Sequence, residues 1–180
     1  MTFEEIIFKM SIERDNEKED MDKPNLMTQQ TKERLERSLA EIRQKLADAG
    51  RSIGEAAGSN SDWHDNAAFD YAQMEFKLLG SQEAELSRKL FNVAIIEPRQ
   101  ETDVVDLGNT VRLRFEDMDE DEMFTILGPD DGLTGMEYEP RWISCETPLA
   151  QAVMGKQRGE TAEFNNGQIV KVKEILPGEF

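Results

Sequence analysis

Asp62 and Asp65 stand three residues apart in the segment Ser61-Asp62-Trp63-His64-Asp65-Asn66, which holds the chain's only histidine. Two carboxylates so close together can offer oxygen ligands to a metal ion. His64 can ligate a metal or assist a proton transfer, or it can be an ordinary exposed loop residue. Trp63, a large aromatic in a polar segment, fits a contact surface, or it folds back onto neighbouring apolar side chains. The plain alternative for Asp62, Asp65 and Asn66 is local: Asp and Asn are common in turns and at helix N-caps. Within this segment the two carboxylates have no partner nucleophile and no complete ligand set. They suit a contribution to a site that another molecule builds.

The elements on either side must hold that segment. Leu35, Leu39, Ile42, Leu46, Ala49 and Ile53 recur at alternating spacings of four and three, the seam of a coiled coil. Gly50, Gly54 and Gly58 weaken this helix toward its end, and Gly58-Ser59-Asn60-Ser61 breaks it. A second seam follows: Phe69, Ala72, Phe76, Leu79, Glu83, Leu86, Leu90 and Val93, interrupted only at Glu83. Two seams joined by one short polar segment must pack antiparallel. The pattern therefore predicts a coiled-coil hairpin over residues 28–98, with an acidic tip at 59–66 and Pro98 closing the second helix. About 30 residues per helix, at about 1.5 Å each, give a rod of about 45 Å. Glu83 on the seam reads as a local opening or a device that sets register.

Residues 1–27 are rich in Glu, Asp and Lys, and they read as a disordered extension. Another reading starts the folded protein near Met27. After Pro98 the period changes to two. Val111, Leu113 and Phe115 alternate with polar residues as a half-buried strand, and Asp117 to Glu122 reads as a charged turn. Met123 to Leu127 is the returning strand, and Gly128 to Gly132 a loop. Thr147-Pro148 is an N-cap with a helix-starting proline, opening a short helix over Leu149 to Met154. Thr161–Phe164 and Ile169–Ile175 form a final hairpin around Asn165-Asn166-Gly167. Residues 99–180 are thus expected to form a small antiparallel sheet with one short helix, and the whole chain to be of the α+β class.

The 180 residues carry a net charge of -17. That charge argues against autonomous binding to duplex DNA, whose phosphates would repel it. The single cysteine, Cys145, excludes an intrachain disulfide and fits a reducing cytoplasm. It reads as a small packed residue. No apolar run approaches the roughly 20 residues needed to span a bilayer, and the first residues hold no signal-peptide apolar core.

Several fragments, in order, resemble the Gre family (GreA and GreB) of bacterial transcript cleavage and elongation factors. Ile53-Gly54-Glu55-Ala56 and Asp62-Trp63-His64-Asp65-Asn66-Ala67-Ala68-Phe69 resemble the family's I-A-E-A and G-D-L-S-E-N-A-E-Y. Leu107-Gly108-Asn109-Thr110-Val111 resembles F-G-S-T-V, and Ile126-Leu127-Gly128 resembles I-V-G. Ile143-Ser144, Thr147-Pro148-Leu149-Ala150 and Gly155-Lys156 resemble I-S…S-P-[IL]-A…[IL]-G-K. The resemblance spans roughly residues 28–176.

The resemblance implies an FKBP-like C-terminal domain that binds RNA polymerase at the mouth of its secondary channel, and a hairpin inserted through that channel. It implies that Asp62 and Asp65 help hold a second Mg2+ in the polymerase active site, so that the polymerase cleaves backtracked RNA. The factor would be no enzyme and would need no cofactor of its own. It would meet the RNA 3′ end and DNA only within the elongation complex, and would act as a cytoplasmic monomer with no membrane partner. By position, Ser144, Thr147, Pro148, Leu149 and Ala150 are expected to contact polymerase, and Trp63, His64 and Asn66 to make contacts at the tip. The plain reading of Ser144, Thr147, Pro148, Leu149 and Ala150 is the cap and core face of the short helix.

The chain departs from the family in several places. Asp65 stands for the tip Glu, Trp63 and His64 replace a small apolar and a polar residue, and Gln73 and Ala57-Gly58 fall where the family has arginines. Three activities stay open: a cleavage factor, a Gre-like channel regulator without cleavage, and a coiled-coil interaction module unrelated to polymerase.

Overall fold

The computed structural model describes residues 23–58, 67–134, 138–165 and 167–180. The chain divides into two compact units. One is Thr28–Leu90; in the other, the segment ending at Met27 joins Phe91–Phe180.

The helical unit consists of α1 (Gln29–Gly58) and α2 (Ala67–Lys89). Thr28 caps α1: its hydroxyl accepts from the Thr31 amide at 3.2 Å and its carbonyl from the Lys32 amide at 3.1 Å. Leu35, Leu39 and Ala49 are buried on α1, and Ala72 and Leu79 on α2. Ile42, Leu46, Ile53, Phe69, Leu86 and Leu90 are half-buried, so both expected seams face inward. Phe76, at 40% exposure, is the outlier.

The pairing is antiparallel. Arg43 meets Glu83, and a methyl group at Gly50 would lie 3.6 Å from the Phe76 ring. Seven residues up one helix thus correspond to seven residues down the other. The Glu83 carboxylate accepts from Arg43 Nε at 2.9 Å and from Ser87 Oγ at 3.0 Å. The polar residue in the seam is therefore a register device.

Those bonds, Arg43 first and then Ser87, hold the Glu83 carboxyl below its usual range. A depressed folded pKa means a contribution to stability that is present above the unfolded value and lost as pH falls through the folded one. Wild type and Glu83→Gln should therefore differ in helical unfolding at neutral pH and converge well below about pH 4, where the carboxyl is protonated in both states. Circular-dichroism melts across that range check this. A constant difference down to the most acid pH would contradict it.

The second helix stops earlier than Pro98. The last helical bond, from the Leu90 amide to the Leu86 carbonyl, is 3.0 Å long, and Asn92 then takes a left-handed conformation with φ 51°. Val93 is not part of the seam. It begins β2 (Val93–Ile95), which pairs in parallel with β1 (Asn25–Met27), Asn25 opposite Val93 and Met27 opposite Ile95. The end of the segment read as a disordered extension is therefore a strand, with Met27 fully buried. The sequence pattern misses it because a three-residue strand is too short to show a period.

The sheet unit adds β3 (Thr110–Phe115), β4 (Asp121–Leu127), the single turn α3 (Asp131–Thr134), β5 (Arg141–Ser144), α4 (Pro148–Val153), β6 (Thr161–Phe164) and β7 (Gln168–Leu176). The strand order is β5-β4-β3-β7-β6. The β4–β3–β7–β6 ladder is antiparallel, as expected, and β5 adds a parallel pairing at one edge. Val111, Leu113, Phe124, Ile126, Val170 and Val172 form the core, and α4 packs Ala150 and Val153 into it. A second cluster joins Ile96, Leu127 and Trp142 to Leu107 and Phe180.

The charged turn before β4 is shorter than its composition suggests, because Asp121 and Glu122 already pair with Arg114 and Leu113. Arg114 donates to Asp121 across the ladder and holds its carboxyl below the usual range. The final hairpin turns with Asn165 and Gly167 at positive φ, 42° and 98°.

Candidate functional site

Asp62, Trp63, His64, Asp65 and Asn66 lie outside the described residues; the structure gives the two helices that carry them. The donor set on those helices' connection, two carboxylates and no thiolate, is that of a hard cation. Among the described residues, no cluster of three or more His, Cys, Asp or Glu side chains could hold a metal ion. No helix among them is long and apolar enough to cross a membrane.

The C-terminal candidates form one continuous turn. Ser144 ends β5, and its Oγ accepts from the Glu146 amide at 3.1 Å. Thr147 is the N-cap of α4. Its hydroxyl donates to the Ser144 carbonyl at 2.8 Å and accepts from the Ala150 amide at 3.3 Å. Pro148, the first helical residue, is exposed, where its missing N–H costs no bond. Leu149 is half-buried against the core. Ala150 is fully buried, which corrects its expected place in a contact surface: its methyl packs α4 onto the sheet. Ser144, Thr147, Pro148 and Leu149 remain at the surface or half-buried, held by a capped turn. Cys145 beside them is half-buried, and burial, followed by the Glu146 charge, pushes its thiol pKa up. It is a packed thiol with little thiolate character.

Two features escaped the sequence. Asp131, read as part of a loop, is fully buried. Its Oδ2 accepts from the Gly128 amide at 2.8 Å, and its own amide donates to the Gly128 carbonyl at 3.2 Å. The signal was an Asp three residues after a Gly, the spacing at which a carboxylate reaches back to a backbone amide as in a capping box. The other feature is a run of exposed apolar residues on α2, Tyr71, Met74 and Leu78, at spacings of three and four. These positions belong to the helical period but lie off the seam.

Fold and site together define a two-unit α+β protein: a helical hairpin carrying an acidic connection, and a small sheet domain with a capped surface turn. The family described as "Transcription elongation factor, N-terminal" matches residues 25–95, and "Transcription elongation factor, GreA/GreB, C-term" matches residues 100–177. The chain belongs to the GreA/GreB family of transcription elongation factors.

It is 34% identical to transcription elongation factor GreA of Nautilia profundicola over 137 residues, covering 73% of this chain and 75% of that one. It is 30% identical to transcription elongation factor GreB of Yersinia pestis over 155 residues, covering 82% and 85%. Among solved structures, GreA factor homolog 1 of Thermus thermophilus is 22% identical, covering 85% of this chain and 99% of that one, with a TM-score of 0.39. A GreA/GreB factor from Nitrosomonas europaea is 21% identical, covering 86% and 99%, with a TM-score of 0.34.

Proposed function

We propose that this protein binds bacterial RNA polymerase, passes its hairpin into the secondary channel and stimulates cleavage of backtracked RNA. The observation that carries the reading is a carboxylate pair on the connection between two antiparallel helices, in a chain that both family domains match. The second Mg2+, held jointly with the polymerase, supplies charge stabilisation for phosphodiester hydrolysis. Asp62 and Asp65 contribute oxygen ligands to it, and Trp63, His64 and Asn66 contact the walls or the RNA end. The chain is no enzyme on this reading. It needs no resident cofactor, works as a cytoplasmic monomer, and meets RNA and DNA only within the elongation complex. Ser144, Thr147, Pro148 and Leu149 provide the docking turn.

Shorter Asp65 and uncharged Gln73 support a second reading, in which the protein occupies the channel and modulates transcription without cleavage. Purified protein added to a backtracked elongation complex distinguishes the two. The expected result is RNA shortened from its 3′ end. No shortening at saturating protein, combined with competition against a cleaving factor, selects the second reading. No shortening and no competition overturns both.

A further inference from the structure

We propose that Leu133 is an apolar anchor for the polymerase, presented by a turn that Asp131 locks in place; the inference rests on the polymerase-binding reading above. Leu133 is 72% exposed, and it sits on α3, a single helical turn. One turn has no helical stability of its own, because nucleation is unfavourable. Here it is fixed from within. The fully buried Asp131 carboxylate binds the Gly128 amide at 2.8 Å, and the Asp131 amide returns a bond to the Gly128 carbonyl. Burying a carboxylate carries a desolvation cost that a solvated surface loop does not require. What it achieves is a rigid turn with an apolar side chain pointing outward, and such preorganisation lowers the entropy lost on binding.

The turn adjoins the docking candidates. A methyl group at Gly132 would lie 3.5 Å from the Ser144 amide nitrogen and 4.0 Å from its Cβ. Gly132 therefore lies against the end of β5, where the capped turn of Ser144, Thr147 and Pro148 begins, and exposed Leu133 is the next residue along. One exposed leucine alone would mean nothing. Continuity with that turn gives it a partner.

The surroundings give the partner's chemistry. Asp130 precedes the turn and exposed Glu146 follows Ser144. Residues 91–180 carry 19 acidic and 8 basic side chains, a net charge of -11. An exposed apolar side chain on so acidic a unit fits an apolar pocket flanked by lysines and arginines on the polymerase, the arrangement in which a central residue dominates binding.

The test is binding of the full chain to bacterial core RNA polymerase, with Leu133→Asp, Leu133→Met and Pro148→Glu beside wild type. Leu133→Asp is expected to weaken binding at least about tenfold, and Leu133→Met to keep most of it. Melting curves should not move, because the side chain is at the surface. Wild-type binding unchanged in Leu133→Asp but weakened in Pro148→Glu overturns the anchor and leaves the docking reading intact. If wild type itself does not bind, the polymerase reading falls and the anchor falls with it.

Discussion

Asp62→Asn is expected to lower stimulated transcript cleavage by about 100-fold or more, the scale on which a misplaced catalytic group costs rate, while leaving polymerase binding unchanged. The amide keeps the size and shape of the side chain. It removes the negative charge and replaces one hard oxygen with a nitrogen that cannot ligate Mg2+. Affinity rests on other surfaces under the proposed function, so binding and cleavage should separate. Asp65 tests the same chemistry in the other direction. Its carboxylate reaches one methylene less than the glutamate of the family pattern. Asp65→Glu should therefore raise cleavage if reach limits the wild type, and should leave it low if the missing arginine at Gln73 is the limit. Both variants are read from the length of RNA released by a stalled complex. Full cleavage by Asp62→Asn would remove this residue from the metal's ligands.

The two long helices were legible because each seam repeats over five or more turns, and the strands of the antiparallel ladder because alternation and the Asn-Asn-Gly turn agree. What stayed hidden is short or non-local. β1 is three residues whose partner, β2, is 68 residues away in the chain, and no local pattern announces such a pairing. Val93 kept the helical spacing, yet Asn92 ends the helix before it and β1 recruits it. The strand β5 reads as nothing in particular until Trp142 is seen buried against Leu127 and Ile96. At the candidate site, residue types suggested metal ligation by Asp62 and Asp65, which lie outside the described residues, and Thr147-Pro148 gave the cap. Burial is a tertiary property, so Ala150 looked the same as its exposed neighbour Pro148. Leu133 and Asp131 were hidden for the same reason: a one-turn helix held by a buried carboxylate has no periodicity to read.

Gly128→Ala is expected to destabilise the sheet unit by about 3 kcal/mol, near the upper end of what overpacking costs. A Cβ at residue 128 would stand 1.9 Å from the Leu26 carbonyl oxygen, 2.7 Å from its carbon and 3.0 Å from Asp131 Oδ2. The first two atoms are backbone, so no rotamer change relieves the clash. Room can come only from moving β1. That strand is held by the Asn25 amide on the Asn92 carbonyl and by the Ile96 amide on the Met27 carbonyl, both at 2.9 Å. Displacing it breaks those bonds, uncovers Met27 and disturbs the carboxylate that fixes α3. Gly54→Ala is the matched contrast: a methyl group there meets nothing within 4 Å, on an exposed stretch of α1. It should stabilise the hairpin by up to about 1 kcal/mol through helix propensity. Urea unfolding gives both values, and hydrogen exchange at residues 25–27 and 93–96 shows whether the β1–β2 pairing is what fails. Equal stability of Gly128→Ala and wild type would mean that β1 does not need its close approach to Gly128. The expected loss would mean that the strand preceding the hairpin is a structural part of the C-terminal unit, because a single methyl group at Gly128, 102 residues after Leu26, dislodges it.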